Sequence, residues 1–229
     1  MFDLLTSRVI VISIFALLFI IIFLSLAFSL WRINPYHRVN HFFIIFFICT
    51  SIIGVIQILY LFFLIPFVII ILNKIGIIIL NFASIFLLLG VFIFHFGNKK
   101  LFQDKKIILM TITLIILNFG LYCIPNGVSI TIDYEPHWSI LFGTYQFIFS
   151  QSIYLLQLLI SLKVFNETTG IVRQKFKFFI IGITLLDIFY IWAIIYNLHI
   201  LIIISSFGLI FQISGIVGAF LIYYGIKGK

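Results

Sequence analysis

The 229-residue chain is 64% hydrophobic and 9% charged, with a formal net charge of +8 and a mean hydropathy of +1.35. A water-soluble domain carries about a quarter charged residues, so this chain lacks the polar surface for one, and lipid is its expected solvent. The basic excess, 14 Lys and Arg against 6 Asp and Glu, is read below as a signal of membrane orientation, and no nucleic-acid partner is expected.

A helix needs about 20 apolar residues to cross the hydrocarbon of a bilayer. Seven stretches meet or approach that length: 9–31, 42–65, 75–97, 107–124, 139–163, 178–197 and 200–226. The first is too long for the apolar region of a signal peptide and lacks a small-x-small cleavage site, so it reads as a retained span with Arg8 and Trp31 at the interfaces. Asn34-Pro35 offers a cap and a first-turn proline for the second span. Pro66 and Asn73-Lys74 interrupt the longest apolar block, although residues 67–72 are themselves apolar and the second helix could extend through them, so six or eight spans are the alternatives to seven. Gly97-Asn98-Lys99-Lys100 stops the third span and Asp104-Lys105-Lys106 starts the fourth. Pro125-Asn126-Gly127 marks a turn, and Val128 to Asp133 alternates like a strand. No polar stretch is long enough for a soluble domain. Residues 1–229 therefore read as one all-α polytopic membrane helix bundle. Cys49 and Cys123 fall at different depths and are expected to be free thiols.

Charge orients the bundle. With the N-terminus outside and the C-terminus inside, the inner segments carry Arg32, Arg38, Lys99, Lys100, Lys105, Lys106, Lys163, Arg173, Lys175, Lys177, Lys227 and Lys229. The outer segments carry only Arg8 and Lys74, so twelve of the 14 basic residues lie inside. The acids Asp3, Asp133 and Glu135 fall outside. The sequon Asn166-Glu167-Thr168 falls inside and is expected to be unmodified. The expected location is the cell membrane, as a multi-pass protein.

Asp187 sits at the middle of the sixth span. An ionised carboxylate at the bilayer centre costs about 2.5–3.5 kcal/mol on insertion scales, and ionisable residues inside spans mark functional sites. Tyr190, three residues on, shares its helix face and is a candidate donor to it. Gln57, Asn118, Gln151 and Gln212 occupy similar depths on spans two, four, five and seven. Amides in hydrocarbon need partners, so a hydrogen-bonded network around Asp187 is expected, although such residues also serve simply to pack helices. Span five is polar over a wide face: Gln146, Ser150, Gln151, Tyr154 and Gln157. Span three aligns Asn81, Ser84, Leu88, Phe92 and His95. Span seven aligns Ser205, Gly208, Gln212, Gly215 and Ala219, a narrow face suited to close packing.

Three further features carry less chemistry. His37, His41 and His95 lie at one depth on the inner side, where three histidines would suit an open zinc site. Seven-span metal hydrolases of the alkaline ceramidase and progestin-receptor type carry a His-x-x-x-His pair in the last span, whereas here no histidine follows His199. Metal-free interfacial histidines are the expectation. Asp133, Glu135 and His137 alternate in the outer loop; a solvated loop tip is the expectation, with a cation held on a shared strand face as the lesser alternative. Arg173, Lys175 and Lys177 form a basic inner loop able to meet anionic lipid headgroups or a cytosolic protein. No lysine lies within span seven to carry a retinal Schiff base, and no phosphate-cradling glycine loop or HExxH motif is present. No cofactor is expected.

The N-out seven-span plan, Pro136-His137-Trp138 leading into span five, and Arg173-Gln174-Lys175-Phe176-Lys177 leading into Gly182 together resemble the N-terminal seven-helix sensor modules of prokaryotic histidine kinases. The resemblance implies a membrane sensor. With no kinase domain before Lys229, signalling through a separate cytosolic partner is expected. The alternatives are a small proton-coupled transporter using Asp187 and a membrane metalloenzyme using the inner histidines.

Overall fold

The computed structural model describes residues 2–34, 36–62, 65–131, 135–198 and 208–227. Among the described residues seven α-helices follow in chain order: α1 (Phe2–Ile33), α2 (Arg38–Phe62), α3 (Pro66–Gln103), α4 (Lys105–Gly120), α5 (Ile140–Glu167), α6 (Gly170–Asn197) and α7 (Gly208–Ile226). A 3-10 turn (Leu121–Cys123) and an antiparallel pair, β1 (Val128–Ile130) with β2 (Pro136–Trp138), join α4 to α5. Among the described residues six helices are long and apolar enough to cross a membrane, and the apolar helix Ile210–Ile226 is shorter. The start of the seventh expected span, with His199 and Ser205, lies outside the described residues, as do Pro35, Asp133 and Lys229.

Several boundaries differ from the sequence expectation, each for a local reason. Pro66 does open a helix, where its missing N–H costs nothing. Asn73-Lys74 does not interrupt that helix. Asn73 is buried because its Oδ1 accepts from Trp138 Nε1 at 3.0 Å, and Lys74 Nζ lies over the Tyr122 ring at 5.6 Å. Residues 67–72 therefore belong to α3. Gly97 breaks α3 with φ 75, ψ 163, as expected, but helix resumes to Gln103 before Asp104 caps α4 by accepting from Lys106 N at 2.9 Å. Asn34 does not cap α2. Its Oδ1 accepts from Tyr36 N at 3.2 Å, and α2 starts at Arg38. Arg173, Lys175 and Lys177 occupy the first turns of α6 instead of a loop.

Short connections make consecutive helices antiparallel. One end of the bundle therefore gathers the β1–β2 hairpin, and the other gathers most of the basic residues; these are the hairpin end and the basic end. Helix α3 is the axis: 72% of its membrane-length window is buried, against 22–39% for the other five spans. It packs on α2, α4, α5 and the hairpin, while α5–α6–α7 and α1–α2 complete the ring. The Ser29 and Tyr223 hydroxyls join α1 to α7 across the closure. Tight packing of α6 on α7 depends on glycine. A Cβ at Gly182 would stand 2.7 Å from Gly218 O, and one at Gly225 would stand 2.9 Å from Lys175 O. The expected small face of α7 is thus only partly the contact face. Gly208, Gly215 and Ala219 are buried, Gln212 is half-exposed, and Gly218 and Gly225 make the closest approaches.

Large apolar side chains cover the outside of the bundle, among them Ile21, Leu109, Ile116, Ile148 and Leu159, each at least 60% exposed. A continuous apolar exterior of this kind is stable against lipid and not against water.

Candidate functional site

Between α3, α5 and α6 the polar residues form two groups. The first is an amide clasp. Asn81 Nδ2 donates to Asn118 Oδ1 at 2.9 Å and to Gln146 Oε1 at 3.0 Å, and Gln146 Nε2 returns a bond to Asn81 Oδ1 at 2.8 Å. Asn118 Nδ2 donates to Ile78 O at 3.1 Å. All three amides are buried, so the clasp ties α3, α4 and α5 through groups that lipid would leave unpaired.

The second group surrounds Asp187, which is 7% exposed. Gln151 Nε2 donates to its Oδ1 at 2.8 Å. One turn away, Tyr154 Oη and Thr184 Oγ1 pair at 3.3 Å, and Gln157 Nε2 donates to Ser84 O at 2.9 Å. These contacts fix α5 against both α6 and α3.

The expected single network around Asp187 is therefore corrected to a pair plus a separate clasp. Gln146 and Gln151 are five residues apart, which places them about 140° apart around α5. One faces α3 and α4, the other α6. Gln57 and Gln212 are half-exposed on α2 and α7 and make no hydrogen bond among the described residues. Tyr190 does not donate to Asp187: among the described residues its buried Oη has no partner at full hydrogen-bond distance, and its near neighbour is Ser84. The α3 stripe does face inward, with Asn81, Ser84, Leu88 and Phe92 all buried.

Two small adjoining cavities lie beside these groups. The first, lined by Asp187, Tyr154, Gln157, Ser84, Ser150 and Tyr190, offers about 10 Å³ to a water's centre. The second, lined by Asn81, Gln146, Trp138, Ser84, Ser150 and Tyr190, offers about 20 Å³. A single water needs roughly 10–15 Å³ by this measure, and several polar partners. Each cavity thus suits about one water, whereas organic ligands occupy pockets of a few hundred Å³.

Sequence reasoning missed the Asn73–Trp138 bond and the shared wall of Ser84, Ser150 and Tyr190. Both serines lie on the polar stripes of their helices, which was the available signal. The Asn73 bond has none, because the hairpin brings Trp138 to it from 65 residues away.

The other candidates resolve as follows. Among the described residues no group of three or more His, Cys, Asp or Glu is placed to hold a metal ion. His37 precedes α2 and His41 lies in its first turn. His95 Nδ1 instead faces Glu167 Oε2 at 3.5 Å, at the ends of α3 and α5. The outer-loop trio cannot be completed, since Asp133 lies outside the described residues. Lys175 Nζ donates to Lys227 O at 2.6 Å and closes the end of α7, while the Arg173 guanidinium lies 4.7 Å from the Phe165 ring centre. Lys177 is exposed. Cys49 and Cys123 are free.

No protein-family model matches this chain, and neither a similar curated protein nor a similar solved structure is found.

Proposed function

We propose that this chain is a multi-pass cell-membrane protein with seven spans, N-terminus and hairpin end outside, that senses protonation at Asp187. The carrying observation is a buried carboxyl in mid-helix with one side-chain donor, Gln151, beside a cavity sized for water and too small for an organic ligand. Gain or loss of a proton there changes the Gln151–Asp187 bond, hence the packing of α5 on α6. Helix α6 is interlocked with α7 through Gly182 and Gly218 and linked to its end by Lys175. A shift of α6 would therefore reach the basic end, where Arg173 and Lys177 would meet anionic headgroups or a cytosolic signalling protein. The likeness to seven-helix kinase sensor modules is consistent with this reading.

The experiment is an infrared titration of the protein in proteoliposomes. A protonated-carboxyl band that disappears as pH rises, and is absent in Asp187→Asn, is the expected result. No such band would overturn the reading. Sustained proton-coupled flux in the same vesicles would replace it with the transporter reading, which uses the same carboxyl.

Topology has its own check. In a background with both native cysteines replaced, Ser129→Cys on β1 is expected to react with a membrane-impermeant maleimide in intact cells, and Lys177→Cys only after permeabilisation. The reverse pattern would invert the proposed orientation.

A further inference from the structure

The two cavities are not equivalent in depth. From Asp187 the polar lining runs along α6 to Tyr190, along α3 from Ser84 to Asn81, and along α5 from Ser150 to Gln146. It ends beneath Trp138 of the hairpin. All three helices advance toward the hairpin end over these residues. On the other side of Asp187 Tyr154 pairs with Thr184, Gln157 donates to Ser84 O, and Ser161 Oγ is buried without a partner among the described residues, beside a cluster of aromatic rings. Phe43, Phe94, Phe176 and Phe179 pack mainly edge-to-face, with centroids 5.3–6.3 Å apart. Phe43, Phe176 and Phe179 are buried, and Ile183 covers the step between this cluster and Asp187.

We infer that Asp187 exchanges its proton with the hairpin-end side alone, through a file of two bound waters relayed past Tyr190, while the phenylalanine cluster seals it from the basic end. This rests on the proposed proton-sensing role and supplies its direction. Each cavity holds room for about one water, and their common wall is Ser84, Ser150 and Tyr190. Among the described residues the buried Tyr190 Oη has no partner at full hydrogen-bond distance, with the Ser84 hydroxyl near enough to interact, as suits a hydroxyl that bonds water on either side. The hydroxyl donates to one water and accepts from the other, so a proton passed along the file leaves each oxygen with its original number of bonds. Among the described residues the two linings hold no ionisable side chain apart from Asp187, Tyr154 and Tyr190. Helix α3 contributes only Ser84 and Asn81 as polar side chains, so the file is neutral except at its end.

The test uses the whole protein in proteoliposomes sorted to one orientation, with Ser129→Cys as the orientation mark. A pH jump is applied to one side while time-resolved infrared follows the Asp187 carboxyl band. The band is expected to follow the hairpin side and to ignore a jump on the basic side. Ser150→Leu, which fills the shared wall, is expected to slow the response by roughly tenfold or more. Tyr190→Phe, which removes only a hydroxyl with no partner at full hydrogen-bond distance and so keeps the fold, is expected to slow it similarly. A band that follows the basic side, or a rate untouched by Tyr190→Phe, overturns the route and leaves the sensing role standing. A band that appears from neither side overturns the sensing role itself.

Discussion

Gly182→Ala is expected to destabilise the bundle by about 1–3 kcal/mol, even though alanine is the better helix former. In an exposed helix the change gains up to about 1 kcal/mol from propensity. Here the new Cβ would stand 2.7 Å from Gly218 O and 2.8 Å from Ile222 N. Both are backbone atoms, so no rotamer change relieves the clash, and α6 must move away from α7. Overpacking therefore outweighs propensity. Gly218→Ala meets Gly182 O at 2.8 Å and is expected to cost a similar amount. The double variant should cost less than the sum, because one separation relieves both clashes. Gly76→Ala provides the contrast. Its Cβ meets nothing closer than Ile56 Cγ2 at 3.5 Å, an ordinary contact, and it should be neutral or stabilising. Midpoints of detergent-induced unfolding measure all four. If Gly182→Ala behaves like Gly76→Ala, the close α6–α7 crossing is wrong.

The second large effect belongs to the amide clasp. Asn81→Leu removes three side-chain hydrogen bonds at once and is expected to cost about 2 kcal/mol, taking roughly 0.6 kcal/mol as the average interhelical polar contact in a membrane protein. The loss exceeds simple deletion because Gln146 is left buried with both ends of its amide unpaired. Removing that orphan should restore part of the loss. Asn81→Leu with Gln146→Leu is expected to be less damaging than the sum of the single variants. Asn118 keeps its Nδ2 bond to Ile78 O, but its buried Oδ1 loses the Asn81 donor in both variants, so the restoration is only partial. A double-mutant cycle in the same unfolding assay checks this. Strict additivity would mean that the two amides do not pair.

Much of the architecture was legible because a bilayer reduces the problem to length and hydropathy. Long apolar runs must be helices, since only a helix satisfies its own backbone in hydrocarbon. The turn at 125–127, the strand after it and the break at Gly97 followed from residues with restricted or permissive backbones. Helix ends were less legible. Asn73-Lys74 has the composition of a break, yet a partner on the distant hairpin holds Asn73 inside α3.

For the site, residue type alone singled out Asp187, Gln151, Asn81, Asn118 and Gln146, because each is expensive to leave unpaired in lipid. Equal depth did not decide who meets whom. Partnership depends on rotation about each helix axis and on which helices are neighbours. Gln57 and Gln212 share the depth of Asp187 but sit on α2 and α7, away from the α3–α5–α6 interior that it faces.

By itself the sequence determined that this is an apolar helical protein with a carboxyl and several amides within its helices, since composition and run length are local properties. Only the tertiary structure decided that the amides clasp α3 to α4 and α5, that Asp187 pairs with Gln151 among the described residues, and that a water-sized cavity adjoins it with a phenylalanine cluster toward the basic end. Those outcomes depend on helix rotation and on the close α6–α7 contact at Gly182 and Gly218, which are relations between segments that no single segment encodes.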